Sequence, residues 1–405
     1  MPFEAVSYED SPEKFATATD KKLRKSVKGR ALSSVSGGVD SVTSTALVYL
    51  AIGNNLHSIH FEHGGMRKGE CEHIVNLLNE SDMPTKFKDY SSIFMPRVIA
   101  AGSDAESKRK AVRETYFDVL VQEAKNLGVN HVVQGTNAAD VHEVLEKFVK
   151  SQHNVITPKI KERLEREGIE VIEPVKKLFK NEVREVARYL GLPEELTERQ
   201  AFLGPGLYAR VVGQVNEEKM EAVKEADHIA TQKLEKLASQ LKDFAGKDKQ
   251  CFAGLMEREL IDTRDVYESF PDQIDGFEIK KPRITRNKVT GLSPSGTRTY
   301  GRMLIFESYN TEIPDLVKIS NTLLENENLK KGNTVRCATV IDESPLGNLI
   351  VPLRAVGTVD YKTATALPLK REELEETAGE LMDMKEVGLV VYDITHKPPA
   401  TIEWE

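Results

Sequence analysis

Cysteine is scarce in this chain: Cys71, Cys251 and Cys337 are the only three, and no two of them have CxxC spacing. That scarcity argues against a disulfide framework or a cysteine zinc site, and it suits a reducing cytoplasm. Long apolar runs are missing too, because nowhere do about 18 apolar residues follow one another and no apolar signal segment opens the chain. The sequence therefore predicts a cytoplasmic protein without a membrane span.

An excess of positive charge is also absent. The formal net charge is -8 and the isoelectric point is near 5.8, so nothing attracts the whole protein to nucleic acid or to an anionic membrane. We expect neither as a partner. With 405 residues the chain is long for a single core, which predicts two domains.

The most informative segment of the sequence is Ser36-Gly37-Gly38-Val39-Asp40-Ser41. It follows the apolar segment 31–35 and precedes a helical pattern over 42–50. A strand that passes through glycines into a helix leaves backbone N–H groups pointing at one spot, which attracts anions. The hydroxyls of Ser36 and Ser41 add donors. A carboxylate beside phosphates indicates a bridging cation, so we interpret Asp40 as a ligand of Mg²⁺. The alternative is an ordinary glycine-rich turn that caps a helix.

Strand and helix patterns alternate after this loop. We predict strands at 56–61, 86–90 and 131–133 and helices at 70–79 and 104–127, an order typical of a doubly wound α/β domain with a parallel sheet. Ligands of such sheets bind beyond the carboxyl ends of the strands. Arg67 and Lys68, after the second strand, therefore either contact a phosphate or begin the next helix in solvent. The cluster 108–110 is either a basic face toward phosphates or a solvated stripe.

The loop resembles the pyrophosphate loop of the ATP pyrophosphatases, which adenylylate an oxygen of their substrate and release pyrophosphate. Further segments are similar to the ATP pyrophosphatase part of the GMP synthetases, in the same order: 67–68, 104–110, 134–141, 173–184, 191–193 and 204–210. The final residues, 397–405, match that family's C-terminus. Related pyrophosphatases that act on tRNA or make NAD share the loop and not this ending, so the ending discriminates best.

The resemblance implies an architecture and a reaction. It implies a doubly wound parallel sheet over 1–200 and a smaller α+β dimerisation domain over 201–405, with a helical surface insertion near 302–334. The implied reaction is that of a ligase: ATP, with Mg²⁺, adenylylates XMP at O2, and ammonia then displaces AMP to give GMP, AMP and pyrophosphate.

It also implies roles for particular residues. ATP would be bound by Ser36, Gly37, Gly38, Val39, Asp40, Ser41, Gly135 and Thr136; Asp40 and Lys180 would be catalytic, with Asp40 the metal ligand; Arg67, Lys397 and Glu403 would bind the substrate. The alternative for Lys180 is a solvated side chain at the start of a helix. The ending supports a binding role physically, because Pro398 and Pro399 stiffen the backbone beside Lys397 while Trp404 supplies an apolar anchor. The alternative is a structural tail at a subunit interface.

The ammonia source has no visible counterpart in this chain. No cysteine–histidine pairing with a glutaminase signature is present, and the loop begins too near the first residue for such a domain to precede it. We therefore expect ammonia to come from solution or from a separate glutaminase subunit. We also expect a homodimer.

Several residues depart from the family's pattern where the second substrate belongs. They are Glu62, His63, Gln152, Leu203 and Ser295. These departures leave two alternatives open: an enzyme of the same fold that adenylylates a different oxo substrate, or a nucleotide-binding regulator without turnover. The intact loop with its Asp40 argues against the regulator, since a protein that only binds does not need a metal-binding carboxylate there.

Overall fold

The computed structural model describes residues 2–145, 156–198, 202, 204–266, 273–274, 277–308, 311–359 and 361–405. Gln152 and Leu203, two of the departures from the family pattern, lie outside these residues. The chain divides into two compact units, Met1–Ala100 with Arg109–Pro205 and Ala101–Lys108 with Gly206–Glu405. None of the helices in the described ranges is both long and apolar enough to span a bilayer.

The first unit alternates helices and strands along the chain. Its elements are α1 (Pro12–Ser26), β1 (Ala31–Ser34), α2 (Val39–Ile52), β2 (Leu56–Glu62), α3 (Glu70–Glu80), β3 (Thr85–Asp89), α4 (Ser91–Ala100), α5 (Ala105–Leu127), β4 (His131–Val133), α6 (Ala138–Leu145), α7 (Pro158–Arg166), β5 (Glu170–Ile172), α8 (Lys180–Tyr189) and α9 (Glu194–Thr197). The first four residues of α5 belong to the second unit.

Within the described residues, the five strands of this unit form one parallel sheet in the order β3-β2-β1-β4-β5. The chain runs outward from β1 to β3 on one side and from β4 to β5 on the other. The order of winding therefore reverses between β1 and β4, which is the point where open α/β sheets bind their ligands. The predicted doubly wound parallel sheet is confirmed.

Apolar residues explain why α2 lies inside the first unit. The helix carries Val42, Ala46, Leu47, Val48 and Ala51, all buried, and has few charged positions. A helix that is apolar on nearly all sides is stable only when neighbours cover it. Here α1 and α8 supply that cover, with side chains of the same apolar cluster. The first turn of α2, which carries the loop Ser36–Ser41, is thus held by a packed core.

The second unit contains a mixed sheet. Its elements are α10 (Glu217–Ser239), β6 (Asp248–Ala253), β7 (Met256–Glu257), β8 (Leu260–Asp262), β9 (Gln273–Ile274), β10 (Phe277–Glu278), β11 (Lys280–Thr285), β12 (Val289–Leu292), β13 (Arg298–Glu307), α11 (Ile313–Glu325), α12 (Glu327–Lys331), β14 (Thr334–Glu343), β15 (Leu349–Thr358), β16 (Thr365–Ala366), α13 (Arg371–Met382) and β17 (Val387–Asp393). The main path of the sheet is β16-β15-β17-β14-β13-β11-β8, with β6 and β7 paired to β15 and β12 paired to β13.

The segment expected to be a surface insertion has a different place in the structure. Residues 302–334 include most of β13, then α11 and α12, and end where β14 begins. Since β13 and β14 are parallel neighbours, a crossover must join them, and these helices are that crossover. Ile313, Leu316 and Leu323 of α11 are buried rather than exposed. The helical prediction is confirmed, but the segment is integral to the sheet.

Two further expectations need correction. The second unit spans slightly more of the chain than the first, so it is not the smaller one. The sequence pattern over 217–244 also predicts one long amphipathic helix, but α10 ends at Ser239 and Lys242–Phe244 form a separate short 3₁₀ turn. The predicted domain boundary at residues 200 and 201 stays a prediction. In the structure the first unit ends at Pro205, the second continues from Gly206, and the segment 101–108 also belongs to the second unit.

Candidate active site

The loop Ser36–Ser41 lies between β1 and α2, as the sequence predicted. The backbone N–H of Ser36 donates to Ser41 Oγ at 2.9 Å, and Ser36 Oγ lies 3.2 Å from the same atom. Gly37 takes a φ of +82°, a value that favours glycine. Gly38 caps α2 without any side-chain hydrogen bond to the first turn. The first amides of α2 are therefore available to an anion.

Asp40 lies in the first turn of α2 and is mostly buried, with 13% of its side chain exposed. Its Oδ2 is 3.9 Å from Lys180 Nζ, while its Oδ1 has no hydrogen-bond partner among the described residues and is closed to water. Burial raises the pKa of this carboxyl, although Lys180, a hydrogen bond with Asn137 and Arg184 act in the opposite direction. An oxygen ligand of this kind, buried and without a donor, fits a hard divalent cation.

The loop after β4 packs directly against the loop after β1. A Cβ added at Gly135 would lie 2.7 Å from both the backbone N and the Cα of Ser41, so only glycine fits there. Two residues on, the backbone N–H of Asn137 donates to Asp140 Oδ2 and the N–H of Asp140 donates to Asn137 Oδ1, both at 3.0 Å. Thr136 is buried as well. The structure thus brings Gly135, Thr136 and the loop Ser36–Ser41 to one end of the sheet.

Lys180 reaches this place from a third direction. It is the first residue of α8, where the N–H of Phe179 donates to Glu182 Oε2 at 2.7 Å and so secures the start of the helix. The Lys180 side chain is 39% exposed, which lets its ammonium group meet a phosphate near Asp40. The arrangement assembles main-chain donors, a carboxylate and an ammonium group around one end of β1 and β4.

The residues after β2 are tied into their own turn. Glu62 accepts from the N–H of Gly64 at 2.5 Å and from Cys71 Sγ at 2.9 Å, and His63 Nδ1 accepts from the N–H of Gly65 at 3.2 Å. The Arg67 guanidinium lies over the ring of Phe202, 4.7 Å from its centroid. The structure therefore gives Glu62 and His63 a role in shaping the turn, and the role of Arg67 in substrate binding stays a prediction.

The final segment, residues 397–405, is anchored throughout in the second unit. Lys397 and Ala364 exchange backbone hydrogen bonds, and Lys397 Nζ donates to the carbonyl oxygen of Tyr361. Trp404 is fully buried, with its Nε1 donating to Asp393 Oδ2 at 3.1 Å and its ring edge-on to Phe252. The expectation that Trp404 anchors this ending is confirmed.

Glu403 lies deeper than Lys397 and has different partners. Its Oε1 is 3.3 Å from Arg210 Nη2, and its side chain is 10% exposed. Its carbonyl oxygen accepts from Thr290 Oγ1 at 3.0 Å. Lys397 and Glu403 thus belong to one rigid segment but are held by separate groups, and their substrate-binding roles stay predictions.

Comparison with known proteins identifies the family. The chain is 34% identical to a subunit of the glutamine-hydrolyzing GMP synthase of Sulfurisphaera tokodaii, over 97% of this chain and 99% of the relative. It is 32% identical to the identically named subunit from Methanosarcina acetivorans, over 97% of this chain and 99% of that one. The chain belongs to this family of GMP synthase subunits.

Two sequence families match parts of this GMP synthase homologue. Residues 30–199 match the queuosine biosynthesis protein QueC family, and residues 332–404 match the GMP synthase C terminal domain. Among solved structures, an NMN synthetase from Francisella tularensis is similar over 54% of this chain and 84% of that chain, at 15% identity and a TM-score of 0.39. The GMP synthase C terminal domain match includes Lys397 and Glu403, which belong to the ending that discriminated best between related families.

The sequence reasoning missed the side chains that hold the ending of this GMP synthase homologue. Arg336 and Arg354 are fully buried on β14 and β15, and both pair with Asp393 on β17, at 2.7 and 3.0 Å. Arg336 Nη2 and Arg354 Nη2 donate to the carbonyl oxygen of Thr401 at 2.8 and 3.0 Å. Charged residues inside otherwise apolar strands require buried partners, and that signal was available in the sequence.

The charges in this cluster support one another. Burial would raise the pKa of Asp393, but the guanidinium groups of Arg354 and Arg336 outweigh it and hold that pKa below its ordinary value. Burial lowers the pKa of Arg336 to about 10, which leaves it charged at neutral pH. The cluster is therefore a set of ion pairs that binds main-chain oxygens of the final segment.

Lys108, in the basic cluster 108–110, has neither of the two expected roles: it is not on a basic face toward phosphates and it is not solvated. This side chain is almost completely buried, donates to the carbonyl oxygens of Val211 and Gly213 at 2.7 and 2.9 Å, and pairs with Glu405. Lys110, by contrast, is exposed as expected of a solvated stripe. Within the described residues, no group of three or more His, Cys, Asp and Glu side chains is arranged to hold a metal by protein ligands alone.

Proposed function

We propose that this chain is the synthetase subunit of a two-subunit GMP synthase. It uses ATP to adenylylate O2 of XMP, and ammonia then displaces AMP to give GMP, with pyrophosphate released in the first step. Membership of the family of GMP synthase subunits supports this function. The observation that carries it is the site at the end of β1, where Asp40, Lys180 and the amides of the first turn of α2 converge.

The chemistry needs activation because O2 of a xanthine ring is a poor leaving group. Once it is bonded to the α-phosphorus of ATP, it leaves as part of AMP when ammonia attacks C2. The chain does not need a nucleophile of its own for either step. Its work is to position the two nucleotides and to neutralise the charge that develops on pyrophosphate.

The groups for that work lie around the loop Ser36–Ser41. Backbone amides of the loop and of the first turn of α2 donate to the pyrophosphate part of ATP, and Lys180 adds positive charge as pyrophosphate leaves. Asp40 Oδ1 would hold Mg²⁺ together with phosphate oxygens. A bound Mg²⁺ supplies further charge neutralisation. Gly135 keeps the facing loop close enough for Thr136 to line the same place.

Three side chains would bind XMP, and each has its own part in the proposal. Lys397 provides a positive charge for the XMP phosphate, and the buried carboxylate of Glu403 accepts hydrogen bonds from the nucleoside part. Arg67 contributes a further positive charge. A separate glutaminase subunit supplies ammonia, the chain forms a homodimer, and the enzyme works in the cytoplasm.

Pyrophosphate release by the purified protein tests this function. We expect release with MgATP to require XMP, and sustained release with one GMP formed for each pyrophosphate once an ammonium salt is also present; we expect EDTA to abolish it. ATP binding without XMP-dependent release would reject the proposal. In that case we would test whether the protein adenylylates a different oxo substrate.

A further inference from the structure

The carboxylate of Glu403 is only half satisfied. Its Oε1 has Arg210 as a partner, whereas its Oε2 is closed to water and has no hydrogen-bond partner in the part of the chain that the structure describes. A buried carboxylate oxygen without a donor is unfavourable in the absence of a compensating group. A donor supplied by a bound ligand would compensate this atom.

Arg210 is held in place independently of Glu403. Its guanidinium is 1% exposed, donates through Nη1 to Asp227 Oδ1, and lies over the ring of Phe252 at 4.3 Å from the centroid. Asp227 is itself fixed on α10, because its Oδ1 also accepts from the backbone N–H of Ala253 at 3.1 Å. The planar fork of an arginine suits this bridging position between two carboxylates, and a lysine does not.

The backbone of Glu403 is fixed as well. Arg336 and Thr290 both donate to its carbonyl oxygen, and Arg354 Nε donates to the carbonyl oxygen of Ile402 at 3.2 Å. The side chain of Glu403 therefore starts from a rigid point and meets a rigid guanidinium. Its Oε2 has one defined position in space.

The charges around Glu403 show which kind of donor fits. Two sets of ion pairs together contain three arginines and three carboxylates: Arg210 with Asp227 and Glu403, and Arg336 and Arg354 with Asp393. Because these six charges balance, Oε2 does not require a cation. A neutral donor, such as a purine ring N–H or a ribose hydroxyl, satisfies it without adding charge to a buried site, whereas a phosphate would be repelled.

We propose that Arg210 is a positioning residue for XMP. It holds Glu403 so that Oε2 receives a neutral hydrogen-bond donor from the nucleoside part of the substrate. This inference rests on the proposed function, which makes Glu403 a ligand of XMP. It assigns to Arg210 an effect on XMP affinity that is separate from any effect on ATP.

Steady-state kinetics of four variants test the assignment. Arg210→Lys keeps the charge and loses the fork, so we expect the KM for XMP to rise about tenfold while the KM for ATP stays within about twofold. Asp227→Asn weakens the contact that holds the Arg210 guanidinium opposite Glu403, and we expect a smaller rise in the KM for XMP. Glu403→Gln removes the charged acceptor. The control is Arg371→Lys, a buried arginine that donates to the carbonyl oxygens of Val340 and Ser308.

Combining Arg210→Lys with Glu403→Gln separates positioning from folding. If Arg210 acts through Glu403, the double variant binds XMP no more weakly than Glu403→Gln alone. The inference is overturned if Arg210→Lys and Asp227→Asn both leave the KM for XMP unchanged, if the two losses add, or if Arg371→Lys raises it equally. A wild-type protein that makes no GMP from XMP rejects the proposed function itself, and the inference with it.

Discussion

In the first unit the proposed phosphate ligands include main-chain amides at the ends of β1 and β4, whereas in the second unit the proposed substrate ligand Glu403 is a side chain fixed by a buried ion pair. The loop Ser36–Ser41 is contiguous, and its geometry follows from a short strand, two glycines and a helix. Glu403 instead depends on Arg210, which lies 193 residues away in the chain. Local sequence determines the first kind of site, and long-range packing determines the second.

That difference has a chemical reason. Pyrophosphate presents the same charged oxygens in every reaction of this type, and helix amides bind them through the backbone. A purine nucleotide presents a particular arrangement of donors and acceptors, which only positioned side chains distinguish. We therefore expect phosphate binding by the amides of the first unit to depend on the position of the backbone, and recognition of the purine nucleotide to depend on the position of side chains.

Replacement of Asp40 by Asn should have the largest effect on activity. We expect XMP-dependent pyrophosphate release to fall about 10³-fold, because the proposed ligand of Mg²⁺ is lost from the place where the charge of pyrophosphate is neutralised. The same change should raise the melting temperature of the nucleotide-free protein: burial raises the pKa of Asp40, so at neutral pH its charge opposes folding. Asp20→Asn, at an exposed ion pair with Arg24, is the control and should change neither quantity appreciably. Full activity in Asp40→Asn would contradict the assignment.

Replacement of Trp404 by Ala should have the largest effect on stability in the second unit. The ring is fully buried against Phe252, so we expect a loss of about 3–5 kcal/mol in the free energy of unfolding, measured by urea denaturation. Trp404→Phe should lose less, because part of the packing is kept. Calorimetric affinity for a non-hydrolysable ATP analogue should change by less than about twofold if the two kinds of site are as separate as we infer. A parallel loss of ATP affinity would contradict the inference that the two kinds of site are separate.

Gly135→Ala should act on the first unit alone. Its Cβ would meet the backbone of Ser41 at 2.7 Å, so one of the two loops must move. Displacements of about 1 Å in a positioned site lower activity by up to roughly 10²-fold, and we expect the loss in kcat/KM for ATP to approach that value. Gly379→Ala, in α13 with open space around it, is the matched control. An unchanged ATP constant in Gly135→Ala would show that the close approach of the loops does not matter.

The pH dependence should show the smallest effect. Because burial raises the pKa of Asp40, the ionised form that binds metal is lost at a higher pH than for an ordinary aspartate as the solution is acidified. Binding of Mg²⁺ favours the ionised form, so saturating magnesium should move the acidic limb of the rate profile to lower pH. Rate profiles at limiting and at saturating magnesium measure this shift. A limb that does not move with magnesium would argue against Asp40 as the metal ligand.

The same contrast between local and long-range contacts explains which features could be predicted from the sequence. The strand Ala31–Ser34, the loop and the helix were predicted within three residues, because each follows from its neighbours. The alternating order of elements predicted a doubly wound parallel sheet, whereas the pairing of β1 with β4 was found only in the structure. The buried contacts of Arg210 and Arg336 were not predicted, since their partners lie far away along the chain. The crossover formed by α11 and α12 was mistaken for an insertion because strand direction is not visible in sequence.

Transfer of an oxygen isotope tests the central claim most directly. XMP labelled with ¹⁸O at O2 is incubated with the protein, MgATP and an ammonium salt, and the AMP, pyrophosphate and any phosphate formed are analysed by mass spectrometry. Adenylylation of O2 predicts that one ¹⁸O appears in AMP for each GMP made and none in pyrophosphate. Label in inorganic phosphate with ADP as the other product, or GMP formed without labelled AMP, would contradict the account.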